Sequence, residues 1–146
     1  MKALKIFALS ILIPLSFSTA YALQVEPEFS GIETYEVQVN AAEQIQPLDT
    51  IRLRFNFGRV WVNTTNSVRY FITNTGDIPL HFRSATISGS SFGAYHSCQG
   101  TLQPRERCWF VVQYRPFFEG FHSGRFVLSF HENIRVIVDV MGSAHR

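Results

Sequence analysis

The chain has 146 residues, 14% of them Phe, Tyr or Trp, and a formal net charge of +2 that matches its only two lysines, Lys2 and Lys5. That length suits one domain with a single core and is too short for two ordinary ones. Beyond residue 5 the arginines are interleaved with acids along the chain, with no block of like charge to neutralise phosphates, so nucleic acid is not an expected partner.

At the N-terminus, Lys2 and Lys5 lead an apolar run from Ile6 to Phe17 that ends in Ser18-Thr19-Ala20-Tyr21-Ala22, a small-x-small site of the kind signal peptidase cuts. Residues 1–22 read as a signal peptide cleaved after Ala22. The apolar run falls short of the roughly 20 residues a membrane-spanning helix needs, and Pro14 interrupts it, so no retained transmembrane anchor is expected. The expected location is exported, either periplasmic or extracellular. Residues 23–50 are richer in Glu, Gln and Pro. Within them Tyr35-Glu36-Val37-Gln38-Val39 alternates, which reads as an N-terminal arm or edge strand, with Ala41 to Asp49 as linker.

From residue 51 to 146 the pattern is that of an all-β domain. Ile51, Leu53, Phe55 and Phe57 alternate with Arg52, Arg54 and Asn56, the period of two expected of a half-buried strand. Gly58 interrupts it and predicts a bulge before Val60 and Val62 resume, with Trp61 on the other face. Val68 to Thr73 is a second β-rich run, closed by Asn74-Thr75-Gly76-Asp77, a turn in which Asn and Gly tolerate positive φ. Leu80 to Ile87 follows Pro79, and Gly89-Ser90-Ser91 breaks the chain again. Phe92 to Cys98 and Arg107 to Tyr114 form an antiparallel pair. Phe126 to Phe130 and Ile134 to Val140 close the domain, joined by the polar His131-Glu132-Asn133. No stretch past the signal segment has a 3.6-residue period of helical length. The expected fold is an immunoglobulin-like antiparallel β-sandwich of about seven to eight strands.

Cys98 and Cys108 are the only cysteines. In an oxidising compartment an even count at short separation favours a disulfide, and a turn centred on Gln103 sets the two opposite each other across the pair. A metal site would need four ligands; His96 beside Cys98 offers no tight C-x-x-C pair, and no metal or cofactor is expected.

Together these residues resemble the Hydin-type immunoglobulin-like domain, often called ASH and related in architecture to the major sperm protein domain. The resemblance is carried by Phe57-Gly58-x-Val60-x-Val62, Asn74-Thr75-Gly76 with Leu80 beyond it, Phe92, Cys98, Leu102-x-Pro104, Cys108, Tyr114-Arg115-Pro116, Gly120 and Val138-x-Val140-x-Gly142. Two positions depart from the pattern: Arg105 replaces the glycine expected after Pro104, and Tyr114 replaces a phenylalanine. The first puts the turn type in question. The resemblance implies an exported bacterial scaffold or binding module, with no active-site residue to carry over and no enzymatic activity.

The candidate contact residues are Phe117, Phe118 and Phe121, three phenylalanines in a loop where a sandwich is normally polar. Either they form an apolar patch of the kind that marks an interface, or they cap the open end of the core; capping is the expectation. Trp61 and Trp109 are expected to pack on the core or a sheet face. His81, His96, His122, His131 and His145 invite a catalytic story with Ser97, Asp77 or Asp139, but no flanking motif supports it, and no catalytic residue is assigned. Arg52 and Arg54 read as a solvated strand face. The leading function is therefore a non-catalytic exported module that binds a protein partner or acts structurally in the cell envelope. A pilus-type subunit or strand-donating chaperone is the alternative, and a small hydrolase has the least support.

Overall fold

The computed structural model describes residues 32–41 and 48–146. Residues 1–22, expected to be a signal peptide, residues 23–31 and the middle of the expected linker at 42–47 lie outside the described residues. The compact unit runs from Ile32 to Arg146, so it takes in chain ahead of residue 51, where the clear alternation starts.

Nine strands make up two sheets among the described residues: β1 (Glu33–Val39), β2 (Asp49–Trp61), β3 (Asn66–Asn74), β4 (Leu80–Ser88), β5 (Phe92–His96), β6 (Thr101–Leu102), β7 (Arg107–Tyr114), β8 (Gly120–Phe130) and β9 (Ile134–His145). One sheet has the order β1-β3-β7-β5 and the other β2-β9-β8-β4-β6. The count exceeds the expected seven to eight because β1 is paired and β6, only two residues long, bridges to β4. Two pairings are parallel, β1 with β3 and β2 with β9. Alternation tells which face a residue takes but not which neighbour its backbone bonds to, so these parallel edges were not legible in the sequence.

The inward faces build the core. Phe110 and Phe126 stack across the two sheets with centroids 4.5 Å apart, and Tyr70 stacks on Phe110 at 5.1 Å. Phe110 and Phe126 are almost wholly buried, and removing each such side chain from water contributes roughly 1.5 to 3 kcal/mol. On β2 the expected alternation holds as far as Gly58, where φ is +76° and the register with β9 shifts between Asn56 and Arg59. The Asn56 side chain accepts the Gly58 amide at 2.8 Å, which holds the bulge. Beyond it Val60 is buried and Trp61 exposed.

One end of the sandwich is locked by three devices close together. The Asn74 side chain is fully buried and donates to Ile78 O at 2.8 Å and Leu102 O at 3.1 Å while accepting the Gly76 amide at 3.0 Å. Gly76 is not at positive φ, contrary to the role expected of it. Its value is close approach: a Cβ there would collide with the Ala41 backbone, which receives the Asp77 amide at 3.1 Å. The Gln103-Pro104-Arg105-Glu106 turn has Pro at its second position, φ of +72° at Arg105 and the Glu106 amide donating to Gln103 O at 3.0 Å, the pattern of a type II turn. Arg105 therefore keeps the geometry the glycine would supply. In exchange for the strain it donates through Nη1 to Gly76 O at 2.8 Å, tying the two turns together. The third device is the Cys98–Cys108 disulfide, with Cα atoms 5.1 Å apart. It continues the β5–β7 register, in which His96 pairs with Phe110.

Candidate functional site

The opposite end of the sandwich is closed by a different set of residues from the one expected. Tyr114 fills it, stacked on Phe92 at 4.8 Å and tilted against Phe57 at 5.4 Å, with Val60 and Ala144 beside it. The Gly142 backbone lies so close that any side chain there would strike the Tyr114 ring. The Tyr114 hydroxyl meets His122 Nδ1 at 2.7 Å, and burial raises the phenol above its ordinary pKa.

With that end already capped, the three phenylalanines are left outside, Phe117 and Phe118 on the loop and Phe121, expected in it, on β8. Phe117, Phe118 and Phe121 are 56%, 54% and 68% exposed, which corrects the expectation that they close the core. The loop is held in place by the Asn63 amide, which donates to Pro116 O at 2.7 Å, and Phe118 sits edge-on to His122 at 5.1 Å. The Arg115 guanidinium lies 5.6 Å from the Phe117 ring centroid.

Register extends this aromatic end onto the sheet. Paired residues of neighbouring strands share a face. Trp61 pairs with His145, and Phe121 pairs with Ser143 two residues earlier on β9, so Trp61, His145 and Phe121 all point outward from the same sheet. Trp61 is 58% exposed and lies on His145 with centroids 4.0 Å apart. Trp109 faces outward from the other sheet, edge-on to Tyr95 at 5.7 Å. Both tryptophans thus pack on sheet faces. The sequence alone could have brought Trp61 to the phenylalanine loop only if the β2–β9 pairing had been known.

The histidines are engaged elsewhere than in a triad. His81 Nδ1 is 2.6 Å from Glu132 Oε2, while the His81 amide donates to Glu132 Oε1 at 2.7 Å. His96 accepts the Cys98 amide at 3.1 Å, and burial lowers its pKa. Ser97 Oγ accepts the Trp109 amide at 3.0 Å, Asp139 pairs with Arg125 at 2.6 Å, and Asp77 lies 3.9 Å from Arg105. Among the described residues no group of three or more His, Cys, Asp and Glu side chains is placed to hold a metal ion. On the open side between β1 and β2, Tyr35 stacks on Tyr70 at 5.4 Å. Burial first, then the neighbouring Tyr35 and Glu33, push the Tyr70 phenol up to about 12.

Glu132 supplies a pH test. Burial alone would raise its carboxyl, but the His81 amide and ring outweigh it and hold the pKa below the ordinary 4.5. A carboxylate depressed in the folded state contributes stability above its unfolded pKa and loses it as pH falls through the folded one. In thermal melts from pH 6 to pH 3, the wild type is expected to lose more of its midpoint than Glu132→Gln does; parallel curves would contradict this assignment.

The family model for the HYDIN/CFA65/VesB-like Ig-like domain matches residues 48–143. No curated protein matches the sequence significantly. Among solved structures, the Vibrio cholerae VesB protease is similar over 62% of this chain and 30% of its own, with 18% identity and a TM-score of 0.53. A protein of unknown function from Porphyromonas gingivalis is similar over 67% of this chain and 49% of its own, at 12% identity and TM-score 0.52. The ASH/PapD-like domain 7 of human CEP192 is similar over 71% of this chain and 92% of its own, at 13% identity and TM-score 0.50. The chain thus spans under a third of the protease and about half of the Porphyromonas protein. At these identities the likeness is one of fold.

Proposed function

Because this chain belongs to the HYDIN/CFA65/VesB-like Ig-like domain family, we propose that it is a non-catalytic exported module that binds a protein partner or serves structurally in the cell envelope, with Phe117, Phe118 and Phe121 as the contact. The observation that carries this reading is the exposure of three phenylalanines, Phe117 and Phe118 on a loop whose backbone is tied to the neighbouring turn and Phe121 at the start of β8. Large apolar side chains held outside a core that is already closed favour burial against another surface, and aromatic anchors dominate such contacts. The disulfide and the signal-like residues 1–22 support export to an oxidising compartment.

Strand donation is less well supported, since β1 pairs along its whole length with β3 of the same chain and would have to leave it. A hydrolase has the least support, because Ser97, Asp77 and Asp139 all bond to groups other than histidines. The test is co-purification from native envelopes with Phe117, Phe118 and Phe121 changed to Ser. The three are exposed, so the midpoint of unfolding should barely move while partner recovery falls at least about tenfold. Undiminished recovery would remove the loop from the contact.

A further inference from the structure

Along the sequence the arginines look dispersed; the fold gathers them. On β2, the residues opposite the inward Ile51, Leu53 and Phe55 are Arg52 and Arg54, and beyond the bulge Arg59 pairs with Ser143 on the same outward face as Trp61. Arg135 pairs with Thr50 and Ser129, and Arg125 pairs with Asp139, which pairs in turn with Arg54. Arg83 occupies the β4 irregularity beside Ser84, which pairs with Ser129. Arg52, Arg54, Arg59, Arg83, Arg125 and Arg135 therefore share the outer face of one sheet, and the acid among them is Asp139, bonded to Arg125 at 2.6 Å. All are exposed except the half-buried Arg135.

We infer that this face docks the protein on an anionic phospholipid surface. Going beyond the protein contact proposed above, it uses the arginines of the sheet face, none of which belongs to that contact. Six arginines against Asp139 leave the face net positive, on an array roughly 30 Å along the strands and about 15 Å across four of them. A face of that kind meets a plane of phosphates better than it meets a narrow groove. Every cation after Lys5 is arginine, whose planar fork takes phosphate oxygens in pairs. Arg83 and Arg135, with Ser84, Ser129 and Asn133, wall a hollow of about 300 Å³ at one end of the face, a seat of head-group size. At the other end stands Trp61, and indole rings favour the depth of lipid head groups.

Arginines on an edge strand also discourage pairing with a second sheet edge, which accounts for Arg52, Arg54 and Arg59 on β2. It does not account for Arg125 or Arg135, which lie on β8 and β9 inside the sheet; Arg83 lies past the two residues of β4 that β6 covers. Binding therefore predicts a dependence on interior-strand arginines that edge protection does not.

The experiment is sedimentation of the full chain with vesicles of phosphatidylcholine alone or with phosphatidylglycerol at one part in three. Wild type is compared with Arg52→Gln/Arg83→Gln/Arg135→Gln and with Arg135→Gln alone, whose expected loss of about fivefold edge protection does not predict, and anything the N-terminal run contributes is common to all. Arg107→Gln, on the other sheet, is the single-charge control. Each arginine near an anionic surface is worth about fivefold in affinity, so the triple variant should lose on the order of a hundredfold on the phosphatidylglycerol vesicles. Weak, unchanged binding to phosphatidylcholine and near-normal behaviour of Arg107→Gln are expected alongside. Equal affinity of the triple variant and the wild type would overturn the inference. So would retention on heparin without vesicle binding, which would assign the face to an acidic polysaccharide. Intact vesicle binding by the phenylalanine-loop variant, with partner recovery lost, keeps the two surfaces distinct.

Discussion

Asn74→Ala is expected to lower stability by roughly 3 to 5 kcal/mol, because it strips three enclosed backbone groups of their partner and each costs about 1 to 3 kcal/mol when left unmet. The groups are Ile78 O, Leu102 O and the Gly76 amide. A fully buried side chain has no water to take its place. For a domain of this size the midpoint should fall by roughly 12 to 20 °C. Asn74→Asp should not rescue it. A carboxylate still accepts from the Gly76 amide, but it has nothing to donate to the two carbonyls and adds a buried charge. A midpoint within about 3 °C of the wild type for Asn74→Ala would show that the contacts are replaceable.

Removing the disulfide as Cys98→Ala/Cys108→Ala should cost about 3 kcal/mol through the freedom returned to the unfolded chain. That corresponds to a fall of roughly 12 °C in midpoint. The bridge spans a separation of 10 residues, and the loop it closes does two further jobs. It delivers Leu102 to β6, where it pairs with Leu80, and it presents Leu102 O to Asn74. The two perturbations act on one segment, so their combined cost should be less than the sum, a coupling of about 1 kcal/mol in a double-mutant cycle by denaturant titration. Strict additivity would mean that the bridge and the Asn74 contacts hold separate parts of the structure.

Much of the architecture was legible because period-two alternation and turn chemistry report local geometry. Ile51 to Phe57 gave the inward face of β2, Gly58 its bulge and the cysteine spacing the cross-link. The signature at Asn74-Thr75-Gly76 was visible too, but its reason was not. Gly76 is required by a segment 35 residues earlier in sequence, Ala41, and no local rule reports an approach between distant backbones. Arg105 shows the opposite case. A residue that departs from the glycine expected there takes the same left-handed backbone and adds a hydrogen bond across to Gly76 O.

The candidate surfaces were less readable still. Phe117, Phe118 and Phe121 were noticed for their composition, but whether they cap the core depended on Tyr114, whose ring reaches that end first and is fixed there by His122 and the bare Gly142 backbone. Of the arginine face, the sequence showed only Arg52 and Arg54 as a solvated strand face. The members of that face are up to 83 positions apart, from Arg52 to Arg135, and the pairings of β2 with β9, β9 with β8 and β8 with β4 together bring them onto one side.

The claim that the aromatic end makes the partner contact is tested most directly by photo-crosslinking in the living cell, with a benzophenone side chain placed at position 118 and, in a second strain, at the exposed Tyr95 of β5. A discrete adduct from position 118 that is absent from position 95 is the predicted result. Identical adducts from both positions, or an adduct from 95 alone, would contradict it.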